Sequence, residues 1–430
     1  CLFLLYISAN AQPKYFEKSL EWEYIHNGHV IFEQANGNFF LGCDAYSLDF
    51  DNWHQYSLIV DKYGDIIDSV HYLLPEGYGT AFFDGVTTEY GYALGGYVGT
   101  NFTNPPTYQA SLTLIAPSGE LIDSFMVGDN SANAYTLSRT PDGGYMLGGS
   151  VRQYSGNNFT TYPYLIRLNE QGEVVWDRAY TQNNCVNFGS NYSRFRTIVT
   201  DSISDTYYVL GIKGYNPSVD VIWMHIDSSG NVLSQNILGD EQFNTNQQAS
   251  KMIRTSDGGW LSNCTIVEGG NSVSGQLIKL NATGDTIKWQ NEVFYWGSVT
   301  NFVELADGSF IVGGQASPLP DYAFNAAIAH VSANGDSIYW QRSYGGAGDD
   351  DYIYDFTPTS DGGYFFVGRT ETNVPGANVY LLKTNCMGLL TQPQAAFAAQ
   401  MDTAALRITL QNLSQFVYPD SIDGGHYIWD

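Results

Sequence analysis

Short alternations of apolar and polar residues, separated by glycine-rich turns, run along most of the chain. YLIRLN (164–169) alternates in the manner of a half-buried strand. A turn, NEQG, and a further strand, EVVWDRAY, follow it; AYTLSRT (134–140) and PDGGYMLGGS (141–150) precede it. Together these predict four strands in roughly 50 residues, with Asp-Gly at a tight hairpin that needs positive φ. The paired glycines after the turn allow a neighbouring backbone to approach closely. The 3.6-residue period of helical repeats is missing.

The unit recurs. PDGGYMLGGS returns as SDGGWLSNC from Ser256, ADGSFIVGG from Ala306 and SDGGYFFVG from Ser360, with weaker copies from Ala35, Thr88 and Ser204. The aromatic after each turn serves as a ruler: Phe39, Tyr92, Tyr145, Tyr208, Trp260, Phe310 and Tyr364. Its spacings are 53, 53, 63, 52, 50 and 54, the long interval holding the polar insertion TQNNCVNFGSNYS. Four strands at this period, seven times, predict an all-β, seven-bladed β-propeller over residues 12–392. One repeat is too small to bury a core of its own. The seventh copy, VYLLKTNCMGLL, stops before its fourth strand, whereas KYFEKSLEW (14–22) is a spare strand similar to WDRAY and WQRSY. It is expected to pair into the last blade and close the ring, which removes exposed sheet edges.

Within the repeat, Asp142-Gly143-Gly144, Asp257-Gly258-Gly259, Asp307-Gly308 and Asp361-Gly362-Gly363 read as structural turns whose aspartates cap backbone amides. Trp176, Trp289 and Trp340 recur at one strand position and read as packing residues between blades.

The ends differ from the repeats. Residues 1–11, CLFLLYISANA, read as the remnant of a signal peptide, with Ala9-Asn10-Ala11 fitting a small-x-small cleavage site. A buried first strand is the alternative. Beyond 392, LRITLQNLS is an alternating strand and HYIWD another. Residues 393–430 resemble the start of a PKD-type immunoglobulin-like domain through Asn412, Ser414, Tyr427, Trp429 and Asp430. The 430 residues are therefore expected to be a piece of a longer protein carrying further domains.

Composition narrows the function classes. A net charge of −26, from 44 acidic and 18 basic residues, repels nucleic acid and anionic membranes. No run approaches the roughly 20 apolar residues of a membrane-spanning helix. The 32 tyrosines equal the phenylalanines and tryptophans together. Cys43, Cys185, Cys264 and Cys386 are too scattered for a disulfide framework and read as isolated thiols, one or two bridges remaining open. No HExxH, nucleophile elbow or phosphate loop occurs. No catalytic residue and no cofactor is assigned. GGAGDDDY (345–352) is the densest acidic cluster; Asp349, Asp350 and Asp351 are either calcium ligands or a solvated loop between blades.

As a whole, the repeat resembles the D-G-G-Y-x-x-x-G…Y-L-x-K-x-D-x-x-G-x-x-x-W arrays of large secreted bacterial proteins. Such proteins commonly join a propeller to PKD-like modules and a C-terminal sorting domain for type IX secretion. The resemblance implies export to the cell surface or medium and carries no activity. GEVVW (172–176) is also similar to the blade motif of quinoprotein dehydrogenases, where the tryptophan packs between blades. The leading expectation is a non-catalytic binding scaffold that recognises carbohydrate or extracellular protein through tyrosine-rich loops such as TNFTNPPTY (100–108) and RQYSGNNFTTY (152–162). A secreted polysaccharide hydrolase or lyase is the alternative and would need carboxylates converging at the channel mouth. A purely architectural spacer is the third reading.

Overall fold

The computed structural model describes residues 14–412, apart from 21–24, 48–51, 73–78, 102–106, 156–157, 182–192, 216–217, 239–245, 269–271, 318–322, 347, 372–376, 392–396 and 403–406. The signal-peptide reading, Cys185, and Ser414 with the HYIWD strand lie outside the described residues.

A first strand, β1 (Phe16–Leu20), stands apart from the blade that follows it in sequence. Blade one is β2 (Ile25–Glu33), β3 (Phe39–Ser47), β4 (Asn52–Val60) and β5 (Ile66–Tyr72). Blade two is β6 (Thr80–Thr88), β7 (Gly91–Asn101), β8 (Thr107–Ile115) and β9 (Leu121–Val127). Blade three is β10 (Ala132–Arg139), β11 (Tyr145–Ser155), β12 (Asn158–Leu168) and β13 (Val174–Ala179). Blade four is β14 (Arg194–Asp201), β15 (Thr206–Tyr215), β16 (Ser218–Asp227) and β17 (Val232–Leu238). In blade five the inner strand is broken into β18 (Asn246–Gln248) and β19 (Met252–Arg254), before β20 (Trp260–Glu268), β21 (Ser272–Leu280) and β22 (Ile287–Tyr295). Blade six is β23 (Gly297–Glu304), β24 (Phe310–Ala316), β25 (Asn325–Val331) and β26 (Ile338–Tyr344). Blade seven has β27 (Asp350–Thr359), β28 (Gly363–Glu371) and β29 (Ala377–Asn385), and its fourth strand is β1, antiparallel to β29 with Phe16 opposite Lys383. Each blade is an antiparallel meander, and the first strands of neighbouring blades contact one another around the axis. The protein is thus a seven-bladed β-propeller of four-stranded blades. Strands β30 (Phe397–Asp402) and β31 (Arg407–Asn412) form a separate hairpin. No helix among the described residues is long and apolar enough to cross a membrane.

The turn glycines divide the work. In Asp142-Gly143-Gly144, Gly143 takes φ +87°, while a Cβ on Gly144 would fall 2.2 Å from the Leu168 carbonyl oxygen. The first glycine serves the turn and the second serves the close pass of the third strand. The aspartate does more than cap an amide. Asp142 pairs with buried Arg167, Asp257 with buried Lys279 at 2.6 Å, and Asp361 with buried Lys383 at 3.1 Å. Asp307 instead binds Ser309, which meets His330, at the same third-strand position.

Blades join by a repeated latch. The glycine of the turn between third and fourth strands lies under an aromatic ring of the preceding blade. A Cβ on Gly230 would fall 2.7 Å from Trp176, on Gly335 2.6 Å from Trp289, and on Gly388 2.7 Å from Trp340. Phe125 covers Gly172, and Phe16 of β1 covers Gly64, by the same contact. The glycine carbonyls are also hydrogen-bonded across blades: Tyr72 donates to Gly119 at 2.6 Å and Tyr180 to Gly230 at 2.8 Å.

Two sequence expectations change. The ruler aromatic of the fourth repeat is Tyr207, not Tyr208. Tyr207 is fully buried and lies four residues before Gly211, as Tyr145 does before Gly149, while Tyr208 stacks on His225 instead. RQYSGNNFTTY is not a loop throughout: its two halves extend β11 and β12, with Arg152 opposite Thr161 and Ser155 opposite Asn158.

Candidate functional site

Inner strands β2, β6, β10, β14, β23 and β27 each carry a bulge. The register shifts between Gly28 and Val30, Phe82 and Asp84, Ala134 and Thr136, Phe195 and Thr197, Val299 and Asn301, and Ile353 and Asp355. One residue per strand drops out of the ladder: His29, Phe83, Tyr135, Arg196, Thr300 and Tyr354. In blade five the gap between β18 and β19 puts Ser250 at that place. There the Asn263 side chain accepts the backbone N–H groups of Ser250 and Lys251, at 2.9 and 2.8 Å. A bulge re-aims the side chain it releases. These point toward the axis, because they meet their counterparts on neighbouring blades.

The meeting is mostly aromatic. His29 stacks on Tyr354 with ring centroids 5.4 Å apart and packs edge-on against Phe83 at 5.7 Å. Phe83 contacts Tyr135 at 5.1 Å and Tyr97 at 5.7 Å. Tyr354 continues to Tyr352 at 6.3 Å, and Tyr97 to Tyr108 at 5.2 Å. A crescent of rings thus crosses blades seven, one, two and three. On the other side of the axis the corresponding residues are Arg196, Ser250 and Thr300, so the wall turns polar. The crescent extends toward the connections between second and third strands: Arg152 lies over Tyr108 at 5.6 Å and over Phe159 at 5.1 Å. The Asp-Gly turns lie at the opposite end of the channel, since they join first strand to second.

Charged groups line this wall. Asp44 accepts from Asn27 Nδ2 at 2.6 Å and lies 2.9 Å from His29 Nε2. Asp84 accepts from Thr136 Oγ1 at 3.0 Å and Leu137 N at 2.9 Å. Asp355 accepts from Ile31 N at 3.0 Å and from the Asn301 side chain. Asp84 and Asp355 therefore each tie their own blade to the next. Burial pushes the Asp355 carboxyl up to about 6, against the opposing pull of Lys251.

The acidic cluster does not assemble as one ligand set. Strand alternation places Asp350 and Asp351 on opposite faces: Asp350 accepts from Phe324 N at 2.8 Å, while Asp351 is buried beside Gly345. Among the described residues, no three His, Cys, Asp or Glu side chains form a group that could hold a metal ion. Burial pushes Asp351 up to about 6 as well. Cys43 and Cys264 are buried thiols and Cys386 an exposed one.

Asp351 and Asp355 set an expected pH profile. Their folded values lie above the unfolded value of about 3.9, so between about pH 4 and 6 the folded chain binds protons that the unfolded chain releases. Stability then rises as pH falls from 7 toward 5. Scanning calorimetry should give a higher melting temperature at pH 5.5 than at pH 7.5. In the double variant D351N/D355N that difference should shrink by roughly half or more. An unchanged difference would show that these carboxyls do not carry it.

No family model matches the chain, and no curated protein matches it. Solved structures similar to it include the NanB sialidase of Streptococcus pneumoniae, at 10% identity and TM-score 0.44, over 90% of this chain and 71% of that one. A protein of unknown function from Dyadobacter fermentans gives 10% and 0.46, over 84% and 96%. The periplasmic gluconolactonase PpgL of Pseudomonas aeruginosa gives 11% and 0.45, over 84% and 97%. Likeness at this level speaks neither to activity nor to ligand.

Proposed function

We propose that this is a secreted or cell-surface binding protein, non-catalytic, that takes a carbohydrate at the aromatic end of the propeller channel. The observation that carries the reading is the chain of rings Tyr354, His29, Phe83 and Tyr135, assembled from one bulge on each of four blades. Flat aromatic faces beside a few placed polar groups are the usual make-up of a small-ligand site. Sugar rings present C–H faces that suit such a wall, and the hydroxyl, guanidinium and carboxylate groups around it supply hydrogen bonds. Tyrosine provides this contact at low cost in side-chain entropy.

A glycan array probed with residues 12–392 tests the reading, followed by calorimetric titration of the best hit. F83A and Y354A should each weaken that hit about tenfold or more. Undiminished binding in both variants would place the ligand elsewhere, and an array without hits would favour the spacer reading.

A second reading rests on the His29–Asp44 contact. A carboxylate holding an imidazole beside a tyrosine has the make-up of a general base in a polysaccharide hydrolase or lyase. Turnover of the bound glycan by the wild type, lost in H29Q, would move the assignment to enzyme.

A further inference from the structure

We infer that the ligand is an acidic oligosaccharide, one carrying uronate carboxylates, and that Arg194 and Arg196 of the fourth blade receive a carboxylate next to Tyr135. The inference rests on the carbohydrate reading above and names the class of sugar.

The placement of cations is the first ground. The chain has only 18 Lys and Arg against 44 Asp and Glu. Two of those 18 stand two residues apart on one inner strand and converge on one ring of the neighbouring blade. The Arg194 guanidinium lies 5.2 Å from the Tyr135 centroid and the Arg196 guanidinium 5.5 Å. Arg152 extends the same side of the channel along Tyr108 and Phe159. A protein of net charge −26 repels anions at long range. Asp44, Asp84 and Asp355 belong to blades one, two and seven, whereas the arginine pair of blade four makes its own side of the channel the local exception at which an anion can bind.

The behaviour of Tyr135 is the second ground. Burial opposes ionisation of its phenol, yet the phenol is held below its ordinary value, because Arg194 and Arg196 favour negative charge there and Asn133 and Arg194 hydrogen-bond it. Other enclosed tyrosines of the same crescent, Tyr97, Tyr352 and Tyr354, are pushed up instead. The arginines therefore mark the place on this wall where negative charge is stabilised. A carboxylate is already charged and gains from that field without a proton to lose.

Geometry supplies the third ground. Two guanidinium groups converge on one ring from alternate positions of β14, and guanidinium is the side-chain cation best matched to a carboxylate. Buried Asn133 Oδ1 has no hydrogen-bond partner among the described residues and stands beside Tyr135, where a sugar hydroxyl could donate to it. Stepwise rings on one side and an arginine pair on the other fit a sugar that is flat and acidic, rather than a peptide.

The test is titration calorimetry of residues 12–392 with hexasaccharides of galacturonate, guluronate and hyaluronan, each beside its carboxyl-reduced, neutral counterpart. At least one acidic hexasaccharide should bind about tenfold or more tighter than its neutral form, with the gap narrowing as salt rises. In R194Q/R196Q that gap should close, whatever happens to the affinity for the neutral forms, and an unchanged circular-dichroism spectrum and melting transition show that the variant is folded. Equal affinity for every acidic and neutral pair overturns this inference and leaves the carbohydrate reading standing. No binding by any of the six overturns both. Binding of poly-L-glutamate as tight as that of the best hexasaccharide overturns the assignment to sugar.

Discussion

Deleting residues 12–22 should lower the melting temperature by about 10 °C or more and leave a protein prone to aggregate. Strand β1 is the outer strand of blade seven, so without it β29 becomes an unpaired edge carrying Val379 and Leu381. The strand also bridges to blade one. Phe16 is buried against Phe365 at 5.5 Å and covers Gly64, while Lys18 donates to the Tyr63 carbonyl and meets Asp65, each at 2.7 Å. Tyr380 loses its acceptor, Glu17, at 2.8 Å. Phe16→Ala alone should cost about 3–5 kcal/mol, the range for removing a large core aromatic. Urea denaturation of wild type, F16A and the deletion gives the order. A synthetic peptide of residues 12–22 added to the deleted protein should restore much of the loss, since it binds the folded state alone. An unchanged melting temperature, with no effect of the peptide, would show that the ring holds without this strand.

How much of this was readable beforehand follows from what repeats. Turn glycines, the aromatic ruler and the alternating third strand recur because each blade needs the same hairpins and the same core, so fold and blade count stood in the spacing. The ruler slipped by one residue where two tyrosines are adjacent, as burial separates Tyr207 from Tyr208 and composition does not. The buried Arg167, Lys279 and Lys383 were visible as the polar member of an alternating strand. Their pairing with the turn aspartates needs the register of three strands at once.

The channel site was hidden for a different reason. A bulge breaks the two-residue period that sequence reading relies on, and the released residues share no chemistry: His29, Phe83, Tyr135, Arg196, Ser250, Thr300 and Tyr354 differ because, outside the ladder, they are not held to the repeated core pattern. A signal did exist. In five of the seven repeats this residue stands ten positions before the ruler aromatic, as Tyr354 does before Tyr364 and Tyr135 before Tyr145. Looking for variation at a fixed offset, rather than for repetition, would have found the ring.

The other large effect expected is at Asp361. Lys383 is 1% exposed and its ammonium has two oxygen acceptors, the Lys62 carbonyl and Asp361, each at 3.1 Å, and two ring faces, Phe39 and Phe365, within 6.0 Å. Only Asp361 offsets its charge fully. Asp361→Asn leaves the ammonium buried without a counter-ion, and breaking such a pair costs about 3–5 kcal/mol. Water reaches the partly exposed Asp361, which places the expected loss near the lower bound. The double change D361N/K383M removes both charges and keeps the apolar stem, so it should recover most of the loss. If the double variant proves as unstable as the single one, the cost comes from the turn rather than from the orphaned charge. The acid limb has a definite sign. Burial opposes the ionised Asp361, but its hydrogen bonds from Thr359 and Lys383 and the Lys383 charge outweigh it and hold its carboxyl below the ordinary value. Its contribution is therefore present above about pH 4 and is lost as pH falls further, opposite in direction to that of Asp351 and Asp355. Wild type should accordingly be most stable between the two limbs, near pH 5, and D361N should lose stability less steeply than wild type below that point.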